Sequence, residues 1–265
     1  MPYLSKIALN PRRRHAVALL ANPHRLHAAV LSGLAVQPVA ERVLWRLDTS
    51  TAHRAEVLVL TDSRPSWHHL VEEAGWPDAD GGQPLIADYT PLLQRLALGK
   101  EFAFRLTANP VQHVQNPEKP STEQTERLKK ASDRPGKRRG IRVAHRTAAH
   151  QLAWLLARTE RHGFAIPSTT TAPGINLGTT HEDSSDTAPP AETPAVSITA
   201  RETLRFRKTP HGAQVTLSTA TFQGRLRVTD TGALRAALLN GIGPAKGYGQ
   251  GLLTLAPLPD ETHHG

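Results

Sequence analysis

Phe102-Ala103-Phe104-Arg105-Leu106-Thr107-Ala108-Asn109-Pro110 puts Phe102, Phe104 and Leu106 on one face and Ala103, Arg105 and Thr107 on the other. That is the period of a half-buried strand, and Asn109-Pro110 ends it. The stretch decides the fold because a complete set of elements already precedes it. Tyr3 to Asn10 reads as a strand. Asn22-Pro23 is an N-cap followed by proline at the first helical position, opening a helix to about Ala35. Val43, Trp45 and Leu47 alternate with Leu44, Arg46 and Asp48 in a second strand, and Val57 to Leu60 form a third, more buried one. A second helix follows over Ser66 to Ala74 and a last strand over Leu85 to Tyr89. The order β-α-β-β-α-β is the ferredoxin-like pattern, also used by RNA-recognition folds. At Phe102 it begins again.

Downstream, Thr147 caps a helix that carries Leu152, Leu155 and Leu156 at helical spacing and stops at Gly163. Strands are expected over Ser197 to Lys208, Gln214 to Ala220 and Phe222 to Val228. A short helix over Thr231 to Leu239, a glycine-rich loop and a closing strand over Leu252 to Ala256 complete the set. The expectation is an α+β protein of two tandem ferredoxin-like (RRM-like) domains, residues 1–92 and 98–260, each a four-stranded antiparallel sheet with two helices. Two insertions interrupt the second domain. Residues 112–140 are dense in Lys, Arg, Glu and Pro, and residues 168–195 in Thr, Ser, Pro and Ala; neither offers enough apolar surface to offset the entropy of ordering. Both are expected to be mobile loops, and Arg138 and Arg139 make the first a candidate to order on an RNA backbone.

With 32 Lys+Arg against 23 Asp+Glu, the net charge is +9 and the pI about 10.3, which favours a polyanionic partner. An arginine-rich background composition would give the same excess with no ligand. The absence of cysteine excludes disulfides, thiolate catalysis and Cys-ligated zinc. Neither a signal-peptide h-region nor a membrane-length apolar run is present, so a cytoplasmic protein with no membrane partner is expected.

Three groups of residues carry chemistry. The loop Gly241-Ile-Gly243-Pro-Ala-Lys246-Gly247-Tyr248-Gly249-Gln-Gly251 follows a helix and precedes a strand, the reverse of a dinucleotide fingerprint, and lacks the GK[ST] ending of a P-loop. Its glycines let a backbone approach a phosphate chain around Lys246, although a tight structural turn would use them too. The strand Arg201-Glu-Thr-Leu-Arg205-Phe-Arg207-Lys208 sets Arg201, Thr203, Arg205 and Arg207 on one face beside the turn Thr209-Pro-His-Gly212. Such a stripe suits a groove or a row of phosphates, and a solvated face is the ordinary alternative. His24 and His27 stand at i and i+3 in the first turns of a helix. Two imidazoles on one face can accept a 2′-OH proton and protonate a 5′-oxygen, and the helix N-terminus favours the phosphate between them. Zinc binding by this pair lacks a visible third ligand. With 14 histidines in the chain, a chance pair on the surface also fits.

As a set these residues resemble the CasE endoribonucleases of type I-E CRISPR systems, in the RAMP superfamily. The matches are Tyr3-Leu-Ser-Lys-Ile7, Ala21-Asn-Pro-His-Arg-Leu-His27, Leu44-Trp-Arg-Leu47, Phe104-Arg-Leu-Thr-Ala-Asn-Pro110, Leu152-Ala-Trp154, Phe222-Gln-Gly-Arg-Leu226 and Gly241 through Leu253. The resemblance implies an endoribonuclease that needs no metal or other cofactor. It cuts the hairpin of a CRISPR repeat transcript to leave a 2′,3′-cyclic phosphate, then stays with the product as a subunit of Cascade. It puts the catalytic histidine of a Tyr-x-x-His motif on His27, with His24 in the tyrosine's place as a substitute positioner or second proton-transfer group. It further implies stem contacts by Arg205, Arg207 and Lys208, and places the loop with Gly243, Lys246, Gly247 and Gly249 against the RNA backbone. A non-catalytic hairpin-binding subunit of the same fold and a metal-dependent hydrolase using His24 and His27 are the competing functions.

Overall fold

Alternation along the second strand decides how the two halves meet. The chain, known from a computed structural model that describes residues 1–51, 53–114, 125, 141–169 and 192–258, begins with β1 (Tyr3–Leu9), α1 (Arg14–Leu20) and α2 (Pro23–Leu31). Then come β2 (Leu44–Thr51), β3 (Arg54–Thr61), α3 (His68–Ala74) and β4 (Leu85–Asp88). The strands pair antiparallel in the order β2-β3-β1-β4, the ferredoxin-like arrangement. Ile7, Val43, Trp45, Val57 and Val59 point to the helices and pack with Leu26, Val30, Leu70 and Val71. Leu44, Leu58 and Leu60, on the opposite face, join a second cluster with Phe102, Phe104, Leu155 and Leu226. One sheet face thus holds its own helices and the other faces the second half of the chain. α4 (Thr90–Gln94) supplies Leu93, which with Tyr89 belongs to the same shared cluster.

The second half repeats the plan. β5 (Glu101–Ala108), β11 (Val196–Arg207), β12 (Gln214–Val228) and β13 (Leu253–Ala256) lie in the order β11-β12-β5-β13, again antiparallel. The two-residue β8 (Phe164–Ala165) pairs with the end of β12 and makes this sheet five-stranded. α5 (Ala148–Thr159) and α6 (Thr231–Asn240) are its helices, with N-caps Thr147 and Asp230 accepting from the backbone N–H groups of His150 and Ala233. Gly163 ends the first of them at φ 74°, the left-handed value expected of a C′ glycine. β6 (Val111–Val114) pairs with β7 (Ile141–Ala144), and β9 (Ser168–Thr169) with β10 (Thr193–Pro194), at the roots of the two insertions. Arg138 and Arg139 lie outside the described residues.

Two expectations are corrected. A separate helix, α1, precedes α2; its N-cap Arg13 makes no side-chain capping bond, so the usual start signal is missing. Gln214 to Val228 is one strand, because the small residues Ala220 and Thr221 stay paired to both β11 and β5.

The halves are also joined by a buried arginine. Arg46 is 2 % exposed. It grips Asp48 with two hydrogen bonds of 2.9 and 3.0 Å, and its remaining nitrogen reaches the carbonyls of Arg105 and Leu252 and the Thr254 hydroxyl. Read along β2 alone, Arg46 and Asp48 belong to a polar face; packing makes that face the joint between the sheets.

Candidate active site and nucleic-acid interface

Asn22 caps α2 by accepting from the His24 N–H at 3.0 Å, and its amide nitrogen donates to the carbonyl of Arg207 at 3.1 Å. One side chain thereby fixes the helix start and ties it to the β11–β12 hairpin. On the underside of that hairpin, buried Phe206 meets the Tyr248 ring edge-on at 5.0 Å, and Lys208 lies 5.8 Å from the same ring. Tyr248 sits in the glycine loop, so helix, hairpin and loop converge.

His27 stands at the meeting point, half-buried. Trp45, from β2, donates its indole N–H to His27 Nδ1 at 3.2 Å, the two rings lying nearly parallel with centroids 6.5 Å apart. An indole N–H can only donate, so Nδ1 must be bare and the neutral ring carries its hydrogen on Nε2. Nε2 faces the loop: a Cβ built on Gly247 would lie 3.4 Å from it. Burial, then the charge of His24, holds the His27 pKa below the ordinary imidazole value; the Trp45 N–H acts in the same direction, because protonating Nδ1 would forfeit that bond. His24 is half-buried one turn earlier on α2, and no hydrogen bond to its ring occurs among the described residues.

The glycines of the loop serve packing as much as approach. At Gly249, with φ +77°, a side chain would stand 2.6 Å from Trp45, and at Gly243, with φ +84°, 3.0 Å from Trp154. Ala245 also adopts a positive φ, 65°. Ile242, Tyr248, Gly249 and Gly251 donate their backbone N–H groups within the fold. Those of Gly243, Lys246 and Gly247 make no backbone hydrogen bond among the described residues, leaving donors available to an anion. Lys246 is partly buried, and burial, then Arg42, lowers its pKa.

The arginine stripe divides in function. Arg201 is held in place, its Nε donating to Gln151 of α5 at 2.9 Å and its guanidinium also bonding the carbonyl of Arg146. Arg205 and Arg207 are exposed, and neither forms an ion pair among the described residues. Arg207 donates to the Gly212 carbonyl across the turn. Trp45, Arg46 and Gln151 were not legible as site residues; their roles depend on partners brought from other elements. No group of three or more His, Asp or Glu that could hold a metal ion occurs among the described residues.

Fold and site together define a protein of two joined ferredoxin-like units with a histidine pair set against a basic hairpin and loop. The chain belongs to the family of CRISPR-associated proteins, whose family model matches residues 2–257. It is 28% identical over 259 residues to the CRISPR-associated endoribonuclease Cse3 of Thermus thermophilus, covering 96% of this chain and 100% of that one. The solved structure of Thermus thermophilus Cse3 bound to an RNA representing a pre-cleavage complex superposes with a TM-score of 0.64, at 28% identity over 97% of this chain and 99% of that one. A chain of a CRISPR RNA-guided surveillance complex, described as pre-nicking, shares the fold with a TM-score of 0.55 at 21% identity, over 97% of this chain and 100% of that one.

Proposed function

We propose that this protein is a CRISPR-RNA-processing endoribonuclease that cleaves repeat hairpins without a metal ion and stays bound to its product as a subunit of a Cascade surveillance complex. The observation that carries the reading is the position of His27, with Nε2 against Gly247 and Nδ1 held by Trp45, at the junction of α2, the hairpin and the loop. Its relationship to Cse3 supports the same activity.

In the proposed reaction the 2′-oxygen attacks the adjacent phosphorus. The O2′–H and P–O5′ bonds break and the P–O2′ and O5′–H bonds form, leaving a 2′,3′-cyclic phosphate and a 5′-hydroxyl. Protonated His27, with its Nε2 hydrogen toward the phosphate, gives that proton to the leaving O5′ and returns to the neutral ring, and neutral His24, with its ring unengaged, takes the 2′-OH proton. Arg205, Arg207 and Lys208 grip the stem and Arg201 anchors the root of their strand. Lys246 and the free N–H groups of Gly243 and Gly247 meet the RNA backbone, with Gly249 giving the loop its close seat on Trp45. Arg138 and Arg139 are proposed as further contacts to the RNA backbone. Residues 1–92 and 98–260 act as the two domains, and the setting is the cytoplasm; among the described residues no helix is long and apolar enough to cross a membrane.

The test is cleavage of a cognate repeat transcript in EDTA by wild type and His27→Ala. Cutting by the wild type alone, with hairpin affinity kept in the variant, is expected. Loss of wild-type cutting in EDTA would point to the metal hydrolase, and no cutting under any condition to a binding subunit.

A further inference from the structure

The proposed chemistry leaves a second cationic region unused. Across Trp154 from the glycine loop lies a cavity of about 400 Å³ whose lining includes His113, His145, His150, Trp154 and Arg158. His145 and His150 stack with ring centroids 5.9 Å apart, and Thr147 Oγ1 lies 2.7 Å from His150 Nδ1. The Arg158 guanidinium stands 4.3 Å from the centre of the Trp154 ring and donates to the Trp154 carbonyl at 2.8 Å. Because Gly243 abuts the same ring, the cavity and the loop carrying Lys246 share a wall.

Arg158, Arg161 and Lys246 put positive charge along this wall, beside the neutral rings of His145 and His162. Burial, then Arg161, lowers the Arg158 pKa; burial, then Arg161, Arg158 and Lys246, lowers that of His162; burial, then His150 and Arg158, lowers that of His145. Among the described residues none of them has an ion-pair partner, Glu160 pairs with nothing, and Asp230 is spent capping α6. Two buried polar atoms here, Trp154 Nε1 and His162 Nε2, also lack hydrogen-bond partners among the described residues. Like charges held together at partial burial repel, and a polyanion would relieve that repulsion. The exposed His150 ring, stacked on His145 beside Arg158, adds a surface on which any base can stack, the combination used for single strands rather than duplexes.

We propose that this cavity and the cationic ridge joining it to Lys246 form a second RNA subsite, which takes a single-stranded segment flanking the hairpin. The inference rests on the RNA-processing reading and adds the substrate's unpaired flank to it. A base lies on the His145–His150 stack, and its phosphates face Arg158 and Arg161. Arg201, fixed to Gln151 and the Arg146 carbonyl, brings the root of the stem-gripping strand to the edge of this subsite.

The test is fluorescence anisotropy with RNA made uncleavable by a 2′-deoxy sugar at the cut. The bare hairpin, the hairpin with a 5′ flank and the hairpin with a 3′ flank are compared on wild type and on His150→Ala/Arg161→Gln, both substituted residues being exposed. The wild type is expected to bind one flanked RNA about tenfold tighter than the bare hairpin, with a steeper salt dependence, and the flank that gives the gain names the strand. The double variant should hold the bare hairpin within twofold of wild type and lose the gain. In unaltered protein, 4-thiouridine in that flank should crosslink to the segment His145–His162. No gain from either flank, a gain retained by the variant, or crosslinks elsewhere would overturn the subsite. If the wild type fails to bind even the bare hairpin, the hairpin-processing function itself falls.

Discussion

Trp45→Phe keeps an aromatic ring in the core and deletes the one N–H that reaches His27 Nδ1. A net hydrogen bond contributes about 1 kcal/mol, roughly a fivefold factor in an equilibrium. Since that bond exists only with a bare Nδ1, its loss shifts His27 toward the protonated form by about that factor and frees the ring to exchange tautomers and rotate. The variant should therefore cut up to about fivefold faster on the alkaline side of its pH–rate profile, where the protonated donor is scarce, and the limb that reports His27 should move to higher pH. Hairpin affinity should stay within twofold. Nitrogen-15 shifts of the histidine rings read the cause directly: wild-type His27 should be protonated on Nε2 when neutral, and the variant should be a mixture. A purely structural role for Trp45 would lower the melting temperature without moving the pH profile. A wild-type ring carrying its hydrogen on Nδ1, or a variant with unchanged rate and profile, would refute the reasoning.

Gly247→Ala should fold with stability within about 1 kcal/mol of wild type yet cut at least tenfold more slowly, because the new methyl stands 3.4 Å from His27 Nε2, where the phosphate must lie. Gly249→Ala should instead lose about 1–3 kcal/mol in urea unfolding, since it adds both a strained positive φ and a clash with Trp45. Arg46→Ala should cost about 3–5 kcal/mol by leaving Asp48 poorly paired at the joint, and Arg46→Leu/Asp48→Leu should recover most of that loss. Thermal stability should fall as the pH drops below about 6.5. His27, His145 and His162 all have lowered pKa values in the folded state, so the unfolded chain binds more protons there and acid favours it. A melting temperature independent of pH between about 7 and 5 would contradict those three environments.

Local signals carried most of the architecture. Two-residue alternation in β2 and β5, the Asn22-Pro23 and Thr147 helix starts, and the left-handed stop at Gly163 are properties of neighbouring residues, and they fixed element order and the repeated ferredoxin-like plan. The positive excess and the glycine loop pointed to a polyanion for the same reason: composition and backbone freedom are written residue by residue. What the sequence could not supply were contacts between segments. Arg46 reaches a carbonyl 206 residues away, Trp45 selects the nitrogen that His27 exposes, and Gln151 takes Arg201 out of the free stripe. Each depends on which sheet face another element covers, and no local period encodes that. The sequence determined which side chains are available for the chemistry; tertiary packing decided which are engaged, which remain free, and which way the histidine points.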